Sequence, residues 1–168
     1  MQLVHYFRKN EPHMFPTYLK DDNELTYLRG GIANKPGNVF WLSMVDGRSN
    51  WASFMQGELD PSDELTQLWD FEQPMMFSTT PEAKLLTIES FDDVPTEALL
   101  RRNYKNEWGE EEPYTIIQWE KLREMGYSGA IVKGDANLQP MDEIRHINAH
   151  EWDVDSVVIW DPKAIRVS

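Results

Sequence analysis

Apolar residues fall in short runs of four to seven along this chain, separated by turn-forming clusters. Residues 2–8 (QLVHYFR), 25–29 (LTYLR), 38–43 (NVFWLS), 75–78, 85–89 (LLTIE), 129–133 (GAIVK) and 156–160 (SVVIW) read as strands. They are rich in the β-branched and aromatic residues that favour a pleated surface. Asp161-Pro162 ends the last of these, and residues 164–167 close the chain. Helical spacing occurs elsewhere. Ser49 or Asn50 caps a short helix through Trp51, Ala52, Phe54 and Met55, ended by Gly57. Asp60-Pro61-Ser62 opens a second, with Leu65, Leu68 and Trp69. Residues 95–104 read as a helix with Ala98, Leu99 and Arg102 on one face. Thr115 caps another carrying Ile116, Trp119 and Leu122, with Gly126 as its C′ residue. Residues 107–112 read as an acidic loop, and 141–151 as a short helix or an irregular crossing.

Strands and helices do not alternate strictly, which disfavours a doubly wound parallel sheet. The expected fold is therefore α+β: short, bent, mainly antiparallel sheets flanked by short helices. No internal repeat or low-complexity linker divides the chain, so 1–168 reads as a single domain.

Composition supports a packed core. Apolar residues make up 40% of the 168, with seven Trp, seven Phe and six Tyr, so neither disorder nor a stapled mini-protein fits. There is no cysteine, which excludes disulfides, thiolate zinc sites, iron–sulfur clusters and a cysteine nucleophile. No apolar run approaches the roughly 18 residues that cross a bilayer, and residues 1–10 lack a secretory signal pattern. A soluble, cytoplasmic protein with no membrane contact is expected.

Charge changes the picture most. Sixteen Lys and Arg face 29 Asp and Glu, a formal net charge of −13. Such a surface repels phosphate backbones, so direct nucleic-acid binding is not expected. The acidity either serves solubility or attracts a partner protein with a basic surface.

Most motifs of chemistry are absent. There is no GxxxxGK[ST], no GxGxxG after a strand and no GxSxG. His146 and His150 stand at i, i+4, but without the Glu of HExxH or a third histidine nearby, so no metal is expected. The carboxylate clusters Asp92-Asp93, Glu110-Glu111-Glu112 and Asp153/Asp155 read chiefly as solvated groups in an acid-rich chain. Trp41, Trp119 and Trp160 fall inside expected elements and read as core. Trp108 and Trp152 lie in acidic, irregular stretches and are the candidates for an exposed partner or ligand contact.

One ordered set of motifs carries a resemblance. Tyr27-Leu28-Arg29-Gly30 precedes the aromatic strand Asn38-Val39-Phe40-Trp41-Leu42-Ser43 and the Trp51 segment, with Phe77-Ser78-Thr79-Thr80 as a rival for that strand. The segment Trp119-Glu120-Lys121-Leu122 leads to Met125-Gly126-Tyr127-Ser128-Gly129-Ala130-Ile131-Val132. Asp155-Ser156-Val157-Val158-Ile159-Trp160-Asp161-Pro162 follows, then Ile165. This order resembles the ADP-ribosyltransferase-like domains found in phage and toxin proteins, over residues 27–167. The resemblance implies NAD as substrate, held in a cleft between two small sheets. It implies Arg29 as the first-motif arginine, Gly30 beside it where backbone approaches the ligand, and Ser43 as the second-motif serine. His5 is the alternative first-motif residue. Where the family carries a glutamate at the last strand this chain has Ser156. The acid that stabilises the oxocarbenium-like state is then Asp155 or, from the preceding segment, Glu151.

Two functions follow. The resemblance implies NAD-dependent transfer of ADP-ribose to a macromolecular target, with NAD hydrolysis as a variant. The displaced acid and the net charge favour instead a catalytically silent acidic protein that blocks a basic surface of a host protein. Whether the chain is an enzyme stays open at this level.

Overall fold

A computed structural model describes residues 1–27, 34–45, 67–105, 108–137 and 155–168, with 104, 112 and 135–137 described by backbone alone. Its centre is one curled, mixed, seven-stranded sheet, a half-barrel. The strands are β1 (Gln2–His5), β4 (Phe40–Met44), β5 (Met75–Thr79), β6 (Leu85–Ser90), β9 (Gly129–Asn137), β10 (Ser156–Ile159) and β11 (Ile165–Val167), in spatial order β11-β5-β1-β4-β10-β9-β6. Every pairing is antiparallel except β6 on β9. Two ribbons stand beside it: β2 (Thr26–Tyr27) with β3 (Pro36–Gly37), and a hairpin of β7 (Leu99–Lys105) and β8 (Glu111–Ile117).

Both faces of the sheet are buried, which explains why β10 is a continuous apolar run rather than an alternating one. On one face Val158, Trp160, Ala130, Val132 and Ile88 form a first core with Val94 and Ala98. The helix α1 (Trp119–Glu124) covers it with Trp119 and Leu122. On the other face Leu3, Phe40, Leu42, Phe77, Val157 and Ile159 form a second core, covered by Leu19 and Ala164.

These observations correct the expected fold class. The protein is mostly β, not α+β with flanking helices, and α1 is the one α-helix of more than a single turn among the described residues. Residues 95–104 are not a helix: a 3-10 turn at Thr96–Ala98 leads straight into β7. Seven consecutive pairs, Leu99↔Ile117 through Lys105↔Glu111, override the helical spacing of Ala98, Leu99 and Arg102. The acidic stretch 107–112 is a loop only in part, since β8 begins at Glu111. Thr115 is a strand residue and caps nothing; α1 begins after Gln118. Gly126 does end it, as expected. Its φ of +95° is readily adopted only by a residue without Cβ. Its N–H donates to the Arg123 carbonyl and that of Tyr127 to the Leu122 carbonyl, the paired closure of a Schellman end. The helices expected around Trp51, over most of 60–69 and at 141–151 lie outside the described residues.

Candidate functional site

Ser43 lies on β4 at the middle of the sheet. Its register partners are Val4 on β1 and Ser156 on β10, and Ser156 in turn faces Val132. Both serines are buried. Strand side chains alternate between faces. Ser156 shares parity with Val158 and Trp160, so the serine pair points to the first-core face.

Asp155 is one residue earlier and so takes the opposite parity, that of Val157 and Ile159. Its carboxylate accepts the Gly134 N–H at 2.8 Å and pairs with Lys133 Nζ at 3.5 Å. Half-buried and charge-compensated, it locks the β9–β10 pair where the main ladder ends.

His5 also points to the second-core face. Its ring lies 4.4 Å from that of Phe40 and 4.5 Å from that of Phe7. Phe7 stacks on His13 at 4.8 Å, and His13 approaches Asp70 at 3.8 Å. Nδ1–H of His5 donates to the Trp41 carbonyl at 2.6 Å. A carbonyl only accepts, so this nitrogen carries the proton and, in the neutral ring, Nε2 is the acceptor. Burial pushes the His5 pKa below its ordinary value; the Trp41 carbonyl and Glu11 offset part of that, while His13 adds to it. His5 and Asp155 thus share one face of the sheet, and Ser43 occupies the other. Arg29, Gly30 and Glu151 lie outside the described residues, as do His146, His150 and Trp152. Among the described residues no three His, Asp or Glu side chains form a metal-sized group.

Trp119 and Trp160 are core residues, as expected, with rings 6.0 Å apart. Trp160 Nε1 donates to the Tyr127 carbonyl at 2.6 Å, whereas Trp119 Nε1 is buried without a hydrogen-bond partner.

Trp108 behaves differently. It is 64% exposed, more than any other large apolar side chain described. It sits in the β7–β8 turn, beside the exposed Glu110 and Glu111. On β7 Arg101, Arg102, Asn103 and Lys105 are exposed, whereas on β8 Tyr114 to Ile117, the first two of them opposite Arg102 and Arg101, are buried.

Sequence reasoning missed what holds that base. Asn34 is fully buried, with a φ of +56°, a left-handed conformation that asparagine tolerates better than most residues. Its Oδ1 accepts the Ile117 N–H at 2.7 Å and its Nδ2 donates to the Thr115 carbonyl at 3.0 Å. The Tyr27 hydroxyl donates to the Ile117 carbonyl at 2.7 Å. Gln118 N–H continues the ladder to the Ala98 carbonyl at 2.7 Å. Pro113 has the same parity as Thr115 and Ile117, so at that position this edge offers no N–H to an incoming strand.

Glu120 also has a structural task. Its Oε1 accepts the Leu25 N–H at 2.6 Å, and its carboxylate pairs with Arg123, which in turn donates to the Asn23 carbonyl. The pair ties α1 to the 23–25 segment.

No protein-family model, curated protein or solved structure matches this chain. Among the described residues no helix is long and apolar enough to cross a membrane.

Proposed function

We propose that this chain is a binding protein that docks through its acidic surface onto a basic surface of another protein. The observation that carries this reading is the net charge of −13. Where described, the charge is displayed to solvent: Asp21, Asp22, Glu72, Glu82, Glu97 and Glu111 are all exposed. Such a surface raises encounter rates with a cationic partner and repels nucleic acid and anionic lipid. The test is binding to a panel of strongly basic proteins by biolayer interferometry across a salt series. Affinity for a subset is expected to fall steeply between about 50 and about 500 mM salt, as the Debye length shrinks several-fold. Binding that ignores salt, or no binding beyond that of a charge-matched unfolded polyglutamate, overturns the proposal.

NAD-dependent ADP-ribosyl transfer is the second reading. The order of motifs between Tyr27 and Ile165 supports it. With Ser43 and Asp155 on opposite sheet faces, it requires Glu151 rather than Asp155 as the acid beside Ser43. Nicotinamide released from NAD, and lost in Glu151→Gln, is its expected signature. No NAD binding at millimolar concentration overturns it.

A further inference from the structure

The β7–β8 hairpin pairs with no strand of the main sheet, and its two outer edges differ. The edge of β8 is occupied: Asn34 and Tyr27 take outward backbone groups of Thr115 and Ile117, and at Pro113 there is no N–H. The outer edge of β7 pairs with no described strand. Antiparallel pairs alternate between those that exchange hydrogen bonds and those that do not. The Gln118–Ala98 bond places Leu100 and Arg102 in exchanging pairs with Ile116 and Tyr114. Asn103 and Lys105 fall in the other set, so their N–H and C=O groups point away from β8. Such a row of outward backbone groups is a template for an added strand.

The side chains of β7 select the occupant. The strand reads Leu-Leu-Arg-Arg-Asn-Tyr-Lys and contains no acid. Arg102, Asn103 and Lys105 are exposed, Arg102 on one face of the ribbon and the other two on the opposite face. Glu111 opposite offsets part of the Lys105 charge, whereas Arg102 faces Tyr114. An added strand lies about 4.8 Å away, inside the Debye length of about 8 Å, and so meets a cation on either face. Cationic edges deter apolar and basic strands but not an acidic one, since opposite charges across a strand pair attract. Two β7 edges set together would bring only cations and neutral residues into register, which disfavours a second copy of this chain. The net charge of −13 slows the approach of any anion, but a peptide, unlike a nucleic acid, also gains the backbone ladder.

We infer that the outer edge of β7 receives an extended acidic peptide as a third strand, its backbone bonded to Asn103 and Lys105 and its carboxylates paired with Arg102 and Lys105. This partner is opposite in charge to the one proposed for the acidic surface, and the two inferences stand or fall separately.

The test is a nuclear magnetic resonance titration of the full chain at low salt with a capped nonapeptide of repeated Thr-Glu-Glu. Expected are saturable amide shifts centred on β7 and slowed hydrogen exchange at the Asn103 and Lys105 amides. The matching Thr-Lys-Lys peptide should leave these amides unaltered. Arg102→Glu is expected to weaken binding by at least about tenfold, since it sets like charges opposite each other. Asn103→Pro keeps the charge and, because the Asn103 N–H points away from β8, keeps the hairpin ladder. It is expected to weaken binding at least about threefold, the worth of a lost backbone bond. Both variants should keep the parent amide spectrum away from β7. Shifts without slowed exchange, or binding that Asn103→Pro leaves unchanged, mean attraction without strand addition and overturn the proposal. No binding at millimolar peptide overturns it as well, and so does tighter binding of oligothymidylate, which would assign the edge to nucleic acid.

Discussion

At the base of the hairpin, the two ends of the Asn34 amide meet the Ile117 N–H and the Thr115 carbonyl on the edge of β8 away from β7. One side chain thus stands in for a paired strand. Asn34→Ala strands a buried donor and a buried acceptor, each worth about 1–3 kcal/mol when unpaired. A loss of roughly 3 kcal/mol in urea denaturation is expected, and a loss below about 1 kcal/mol would show that the base is held by other means. The role of Asn34 had no trace in the sequence, because its partners are more than 80 residues away and the contact runs from side chain to backbone. Trp108, by contrast, was legible: it stands among acids in the chain and is exposed in the fold.

His5 gives a pH prediction at the same scale. Burial, the largest influence, lowers its pKa from the ordinary 6.5. Between that depressed value and 6.5 the unfolded chain binds more protons than the folded one. The His5 contribution is therefore fully present above about pH 6.5 and is lost as the pH falls through this window. The slope is at most about 1.4 kcal/mol per pH unit. In His5→Phe, the fall in stability between about pH 7.5 and about pH 5 should be smaller than in the parent chain, by urea midpoints. An equal fall in both would mean that the ring titrates as freely in the folded chain as in the unfolded one.

Among the elements, the sheet strands other than β11 were legible because each is a local apolar run of the right length. β10 is the plainest case, with four buried residues in four positions. The hairpin was not legible. Nothing within residues 99–105 distinguishes a helix face from a strand; the pairing with residues 111–117 decides it. The same non-local register places Ser43 opposite Ser156 and leaves Asp155 on the other face, so the split of the candidate site was also invisible in the chain. Close strand approach gives an element-scale test at Gly129. A Cβ there would collide with the Val158 carbonyl and press on Ile159 Cδ1 at 2.9 Å. Gly129→Ala should cost roughly 1–3 kcal/mol, the usual range for overpacking. A neutral substitution would mean that β9 and β10 are farther apart than their register implies.

For the molecule as a whole, the decisive quantity is the net charge of −13. Diffuse charge sets the rate of encounter and its salt dependence. The most direct measurement is the affinity of the chain for one tight-binding basic protein at several salt concentrations. The account predicts an affinity that falls steeply as salt rises. An affinity that does not change with salt would contradict it.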